Sequence, residues 1–173
     1  MSNSAARTIR VLLVDDHPVV RYGVKHILGA EDDIEVVGEL EAVTAIDQEI
    51  QSVRPDVVLL DLELKETSGV DALRHLRAVA PDMQIIVYTS HDEEEYIIQA
   101  AELGVDGYLL KGSRQEEIVG AVRNVNGGGN AIEPTVAAKL MKHMNKRTSE
   151  ALQPIISFSK RETQVLEQLA GGK

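Results

Sequence analysis

The sequence predicts an α/β fold: a doubly wound, five-stranded parallel sheet with a C-terminal helical extension. Three observations predict it. Short runs that are apolar throughout alternate with segments of helical spacing, five times between residues 9 and 126. The runs do not alternate polar with apolar, which is the pattern of strands covered on both faces, as in a parallel sheet. Breakers fall at the expected boundaries. Strand-helix alternation of this kind builds one layered domain with helices on both sides of the sheet.

The five strands are Val11–Val14, Ile34–Gly38, Val57–Leu60, Ile85–Tyr88 and Tyr108–Leu110. Between them, Val20, Val24, Ile27 and Leu28 share one helix face. Ile46, Ile50 and Val53 share a second, and Leu73, Leu76, Val79 and Ala80 a third. Ile97, Ala100 and Ala101 mark a fourth helix, and Ile118, Val122 and Val125 a fifth. Pro18 suits the first turn of a helix, where its missing N–H costs nothing. Pro55 and Pro81 precede strands, and Gly104 ends a helix. The acidic run Asp92–Glu95 suits the N-terminal turn of the fourth helix, where the macrodipole favours negative charge.

After the fifth helix, Asn126-Gly-Gly-Gly-Asn130 reads as a flexible break. A helix with Val136, Leu140 and Met144 on one face follows, then a polar linker at Asn145–Pro154. Ser159-Lys-Arg-Glu162 has the form of a capping box opening a last helix, with Val165, Leu166 and Leu169 inward. One short amphipathic helix cannot bury its own apolar face. A further domain beyond it, or docking on the body, is therefore expected.

Composition excludes several classes. There is no cysteine, so disulfides and thiolate metal sites are ruled out. Aromatic residues are only 3%, so the core must be aliphatic. The N-terminal residues lack the apolar region of a signal peptide, and no apolar run approaches the roughly 18 residues that span a bilayer. A cytoplasmic location is expected. The net charge of −10 is uneven. Residues 1–135 carry 11 Lys and Arg against 25 Asp and Glu, a net −14; residues 136–173 carry 7 against 3, a net +4. The body would repel nucleic acid and the tail would not.

The chemistry-bearing residues stand at strand ends. Strand one runs into Asp15-Asp16, strand three into Asp61, strand four into Thr89-Ser90 and strand five into Lys111. In a flavodoxin-like strand order of 2-1-3-4-5 these four strands are neighbours, and ligands bind beyond their carboxyl ends. Three clustered carboxylates repel one another unless a cation joins them. Hard oxygen donors with open positions suit Mg²⁺. Lys111 adds positive charge and Thr89 a hydroxyl, so the set could hold a phosphoryl group and stabilise the charge of its transfer. Asp61 is the natural nucleophile, because a carboxylate can form an acyl phosphate. Each residue has a bland reading alone: Asp16 as a helix cap, Lys111 as a solvated lysine, Thr89 as strand chemistry. Their succession at adjacent strand ends is what argues for a site. His17 and His91 stand next to it and read as solvated loop residues or as its rim. No P-loop or dinucleotide glycine motif is present.

Val11-Leu-Leu-Val-Asp-Asp-His-Pro18, Val58-Leu-Leu-Asp-Leu62, Ile86-Val-Tyr-Thr-Ser90 and Gly107-Tyr-Leu-Leu-Lys111 resemble the signature blocks of response-regulator receivers, the NarL/FixJ subfamily in particular. Phe158–Ala170 is similar to the opening helix of the LuxR-type helix-turn-helix that follows such receivers. The resemblance implies an N-terminal tail at 1–8, a receiver at 9–126, a linker with one helix at 127–157, and the first helix of a truncated helix-turn-helix domain at 158–173. It implies Asp61 as phosphoacceptor. Asp15, Asp16, Asp61 and the backbone carbonyl of Glu63 would bind Mg²⁺, and Thr89 and Lys111 would bind phosphate. Thr89 and Tyr108 would form the switch, Tyr108 turning inward as Thr89 moves to the phosphate.

The implied partners are a sensor histidine kinase, which would dock near Val19–Leu28, and a second copy on activation. DNA would be bound only through the missing part of the helix-turn-helix domain, whose recognition helix enters the major groove. Such a protein is a phosphoaccepting regulator and not an enzyme beyond its own phosphorylation and dephosphorylation. Two departures stand out. Leu64-Lys65-Glu66 replaces the frequent Met-Pro after the phosphoacceptor, which predicts a more mobile, more charged loop. Gly112 replaces the frequent proline after the lysine, which predicts a trans bond there.

Two other functions share parts of this pattern. Haloacid-dehalogenase-type phosphohydrolases also use a strand-end Asp and Mg²⁺, but need D-x-D-x-T; here Glu63 and Lys65 stand at the second acid and Thr positions. A receiver that switches without phosphate, as an interaction module, would not need the full acidic set with Lys111.

Overall fold

The computed structural model describes residues 7–151. The capping-box helix expected at 159 onward lies outside the described residues. The elements are β1 (Ile9–Val14), α1 (Pro18–Gly29), β2 (Ile34–Leu40), α2 (Ile46–Val53), β3 (Val57–Leu60), α3 (Gly69–Val79), β4 (Gln84–Thr89), α4 (Glu94–Glu102), β5 (Gly107–Leu110), α5 (Gln115–Asn126), β6 (Ala131–Ile132) and α6 (Pro134–Ala151). The chain divides into two compact units, Met1–Leu140 and Met141–Lys173. Of the second, the described part is the C-terminal portion of α6.

The sheet order is β2-β1-β3-β4-β5-β6, all parallel, so the expected 2-1-3-4-5 order holds and gains a sixth strand. β6 is two residues long, too short to leave a periodic signal. The expected flexible break is an ordered turn: Gly128 adopts φ +86°, and the Ala131 amide then bonds to the Asp106 carbonyl. The linker expected at Asn145–Pro154 is helical through Ala151. Lys146, Arg147, Glu150 and Ala151 are good helix formers, and no breaker intervenes before Pro154. Pro18 opens α1, Glu94 and Glu95 lie in the first turn of α4, and Gly104 follows α4 with φ +69°.

Alternation along the strands splits the core in two. Val11, Leu13, Val57, Leu59 and Ile86 face Val24 and Leu28 of α1 and Ile118, Val122 and Val125 of α5. Leu12, Val14, Val58, Leu60, Ile85 and Val87 face Ile46 of α2, Leu73 and Leu76 of α3, and Ile97 and Ala100 of α4. Burying both faces of β1, β3 and β4 is why those strands read as unbroken apolar runs. At the edge, β2 is half-exposed and more polar. Its register against β1 slips between Val11 and Leu12, where Leu12 meets Gly38.

One glycine is set by close approach. A Cβ on Gly69 would lie 2.1 Å from Leu62 Cα, because the Gly69 amide donates to the Leu62 carbonyl at 3.1 Å and closes the β3–α3 loop. By contrast, a Cβ on Gly23, within α1, would meet nothing within 4 Å. Gly69→Ala should therefore destabilise the fold by about 1–3 kcal/mol. Gly23→Ala should stabilise it by up to about 1 kcal/mol through helix propensity. Urea unfolding of the two variants should show shifts of opposite sign.

Candidate functional site

The ladder continues one residue past three strand ends and so aligns the polar side chains. The Asp15 amide donates to Leu40 O at 3.0 Å, the Asp61 amide to Val14 O at 2.9 Å and the Lys111 amide to Thr89 O at 2.8 Å. Val14 pairs with Leu60, Leu60 with Val87, and Thr89 with Leu110. Asp15, Asp16, Asp61 and Thr89 are buried there, Asp61 at 1% and Thr89 at 0% exposure.

Lys111 spans the carboxylates. Its Nζ lies 2.6 Å from Asp61 Oδ2 and 2.8 Å from Asp15 Oδ2. Burial disfavours the ammonium, but the close contacts and charges of Asp15 and Asp61 outweigh it and hold its pKa above the ordinary lysine value. One cation faces three buried carboxylates. Asp15 Oδ2 and Asp16 Oδ1 are buried without a hydrogen bond of acceptable geometry, although each has a nitrogen at ion-pair distance. These contacts do not offset the charge of three neighbouring carboxylates, and a further cation would. Asp15, Asp16, His17 and Asp61 each offer one donor atom within 4.8 Å of the others. The donor set therefore fits a divalent ion.

His17 belongs to this group, at the half-exposed rim of the site and not as a solvated loop residue. Its signal was adjacency to the acidic pair, and adjacency alone does not fix the direction of a ring. Glu63 enters through its amide, which donates to Asp61 Oδ1 at 3.1 Å, and its side chain is exposed. Lys65 and Glu66 are also exposed. The loop that carries them is tied at its base by the Gly69–Leu62 hydrogen bond. All described peptide bonds are trans, the Lys111–Gly112 bond included.

Thr89 stands beside the charge cluster and links to the next loop. Its hydroxyl oxygen accepts the His91 amide at 3.3 Å. The His91 carbonyl accepts the Tyr108 hydroxyl at 2.8 Å, and the His91 ring stacks on Tyr96 with centroids 4.2 Å apart. Tyr108 is 2% exposed, so the ring expected to turn inward on switching is inward in this structure. Burial pushes its phenol pKa well above the ordinary range, with the charges of Glu93, Asp92 and Asp61 adding.

The chain that carries this site is similar to known proteins. Residues 11–123 match the response regulator receiver domain family. The chain belongs to the response regulator family. It is 33% identical over 165 residues to the transcriptional regulatory protein YhcZ of Bacillus subtilis, covering 95% of this chain and 77% of that protein. It is 34% identical, with the same coverage, to the response regulator VraR of Staphylococcus aureus. A crystal structure of a LuxR-family two-component response regulator from Aurantimonas superposes with a TM-score of 0.74 at 31% identity, covering 79% of this chain and 98% of that one. The domain is thus a receiver of the two-component class, with transcriptional regulators among its relatives.

Tyr88, half-buried beside Lys111, also has its phenol pKa raised, chiefly by burial. For both rings the neutral form is favoured in the folded state. The associated stability is present below the ordinary value of 10.0 and is lost as pH rises through the folded values. Alkaline titration followed by tyrosinate absorbance should show two late-ionising tyrosines, and Tyr108→Phe should leave one. A variant that keeps both would contradict the burial of this ring.

Proposed function

We propose that this receiver accepts a phosphoryl group on Asp61 from the phosphohistidine of a partner kinase and relays the change to a transcriptional output. The observation that supports it most is the convergence of Asp15, Asp16 and Asp61 around Lys111 at one end of adjacent parallel strands. Asp15, Asp16, Asp61 and the Glu63 carbonyl would hold Mg²⁺. The ion, when bound, supplies charge neutralisation to the carboxylates and to the incoming phosphoryl oxygens.

A carboxylate oxygen of Asp61 attacks phosphorus, the P–N bond of the donor imidazole breaks, and its electron pair stays on the departing nitrogen. Lys111 remains protonated and shifts from the bare carboxylates toward the phosphoryl oxygens. The product acyl phosphate carries close to two negative charges, by analogy with other phosphorylated side chains. The Thr89 hydroxyl turns to it, and Thr89 is joined to Tyr108 through His91. Phosphorylation would thus select one arrangement of the β4–α4 loop and the α4–β5 surface, changing pairing with a second copy. DNA control would follow through a helix-turn-helix domain that 158–173 begins. The chain's own chemistry extends to gaining and losing this phosphoryl group. Among described residues, no helix is long and apolar enough to cross a membrane.

The kinase would dock on α1, whose Val19 and Tyr22 are 83% and 74% exposed. Exposed apolar side chains beside a charged site are what a partner covers.

Two measurements check this reading. Incubation with acetyl phosphate and Mg²⁺ should add one phosphoryl mass to the wild type and none to Asp61→Asn; undiminished labelling of that variant overturns the assignment. With the kinase as donor, a Val19→Ala/Tyr22→Ala variant should be phosphorylated at least several-fold more slowly, while its labelling by acetyl phosphate stays at the wild-type rate. Equal slowing with both donors would remove α1 from the docking surface.

A further inference from the structure

We propose that His17 is a nitrogen ligand of the cation held by Asp15, Asp16 and Asp61, and that it biases the pocket toward first-row transition ions over Mg²⁺. The inference rests on the reading of that pocket as a cation site.

The geometry argues for it. His17 Nδ1 lies 2.8 Å from Asp16 Oδ1, 3.1 Å from Asp15 Oδ1 and 3.8 Å from Asp61 Oδ2. In an octahedral site with bonds of about 2.1 Å, neighbouring ligand atoms stand about 3.0 Å apart. The spacings to Asp16 and Asp15 match neighbouring corners of such a set and that to Asp61 is wider; in this structure the nitrogen hydrogen-bonds Asp15 Oδ1. Asp16 Oδ1, the oxygen nearest to it, is buried and has no acceptable hydrogen bond.

The backbone that carries the ring is also held in place. Pro18 restricts the residue before it to extended backbone, and His17 adopts φ −91°, ψ 108°. The His17 amide donates to Asp15 Oδ1 at 2.8 Å, which closes a short turn between the acidic pair and α1. The side chain is thus presented to the pocket from the solvent side, at 48% exposure, while the three carboxylates approach from the buried side. Every other donor in the set is a hard oxygen, which Mg²⁺ prefers. An imidazole adds little for Mg²⁺ but strengthens binding of first-row transition ions.

The test uses Mn²⁺ as the probe on the full chain. Pulsed electron paramagnetic resonance of the bound ion should show ¹⁴N modulation from a directly bound imidazole. His17→Ala should abolish that modulation and weaken Mn²⁺ on the order of tenfold, the lower end of the loss seen when supporting groups of metal sites are removed. His17→Asn, which keeps a polar residue at the helix start, should behave alike. Mg²⁺ affinity, measured by competition, should move far less. Asp61→Asn should weaken both ions. Absence of ¹⁴N modulation in the wild type, with Mn²⁺ still sensitive to Asp61→Asn, overturns the role of His17 and leaves the pocket standing. Mn²⁺ binding indifferent to both Asp61→Asn and Asp16→Asn overturns the pocket reading and the His17 proposal with it.

Discussion

Asp15, Asp16 and Asp61 are buried together at the carboxyl end of a parallel sheet, and one ammonium, Lys111, reaches two of them. Two like charges about 4 Å apart repel by about 4 kcal/mol at an effective dielectric of 20, so three such groups strain any fold that lacks compensating charge. Lys111 answers part of this. Its raised pKa is the same interaction seen from the cation's side. The rest of the structure exists to keep these groups where they conflict. Three backbone hydrogen bonds beyond the strand ends and the Gly69–Leu62 closure hold the carboxylates in place. The negative excess they preserve is what a bound cation can relieve.

The aliphatic sheet supplies the rigidity that this arrangement needs. Its two faces are buried by helices on either side, with Leu60 and Val87 under one layer and Leu59 and Ile86 under the other. Each interior face is close-packed, so a strand end cannot drift without moving a layer. A site built on strand ends inherits that stiffness.

A chain of contacts leads away from the site. Thr89 touches the β4–α4 loop through the His91 amide, and the His91 carbonyl holds the Tyr108 hydroxyl. The loop is also tied to α6, where Lys139 Nζ lies 2.9 Å from Asp92 Oδ2 and also donates to the Asp92 carbonyl. That hydrogen bond and charge hold the Asp92 carboxyl below its usual range. Val136, one turn earlier on α6, is buried in the same cluster as Tyr108. Loop, ring and first turns of α6 therefore form one contiguous set of contacts. Val136 was legible as a helix-face residue, but its seat beside Tyr108 was not.

The five long strands, the five helices and the polar residues at four strand ends were legible in the sequence from local patterns: apolar runs, helical spacing and breakers at Pro18 and Gly104. The family resemblance was legible for the same reason, since its blocks are the strand ends themselves. The strand order came with the flavodoxin-like class, not with any local pattern. β6 escaped because two residues carry no period. The length of α6 escaped because a polar helix and a polar linker share a composition. Tertiary structure alone decided that His17 joins the acidic pocket, that Glu63 offers its amide to Asp61, and that Gly69 must be glycine. These depend on distances across the fold, which only packing sets.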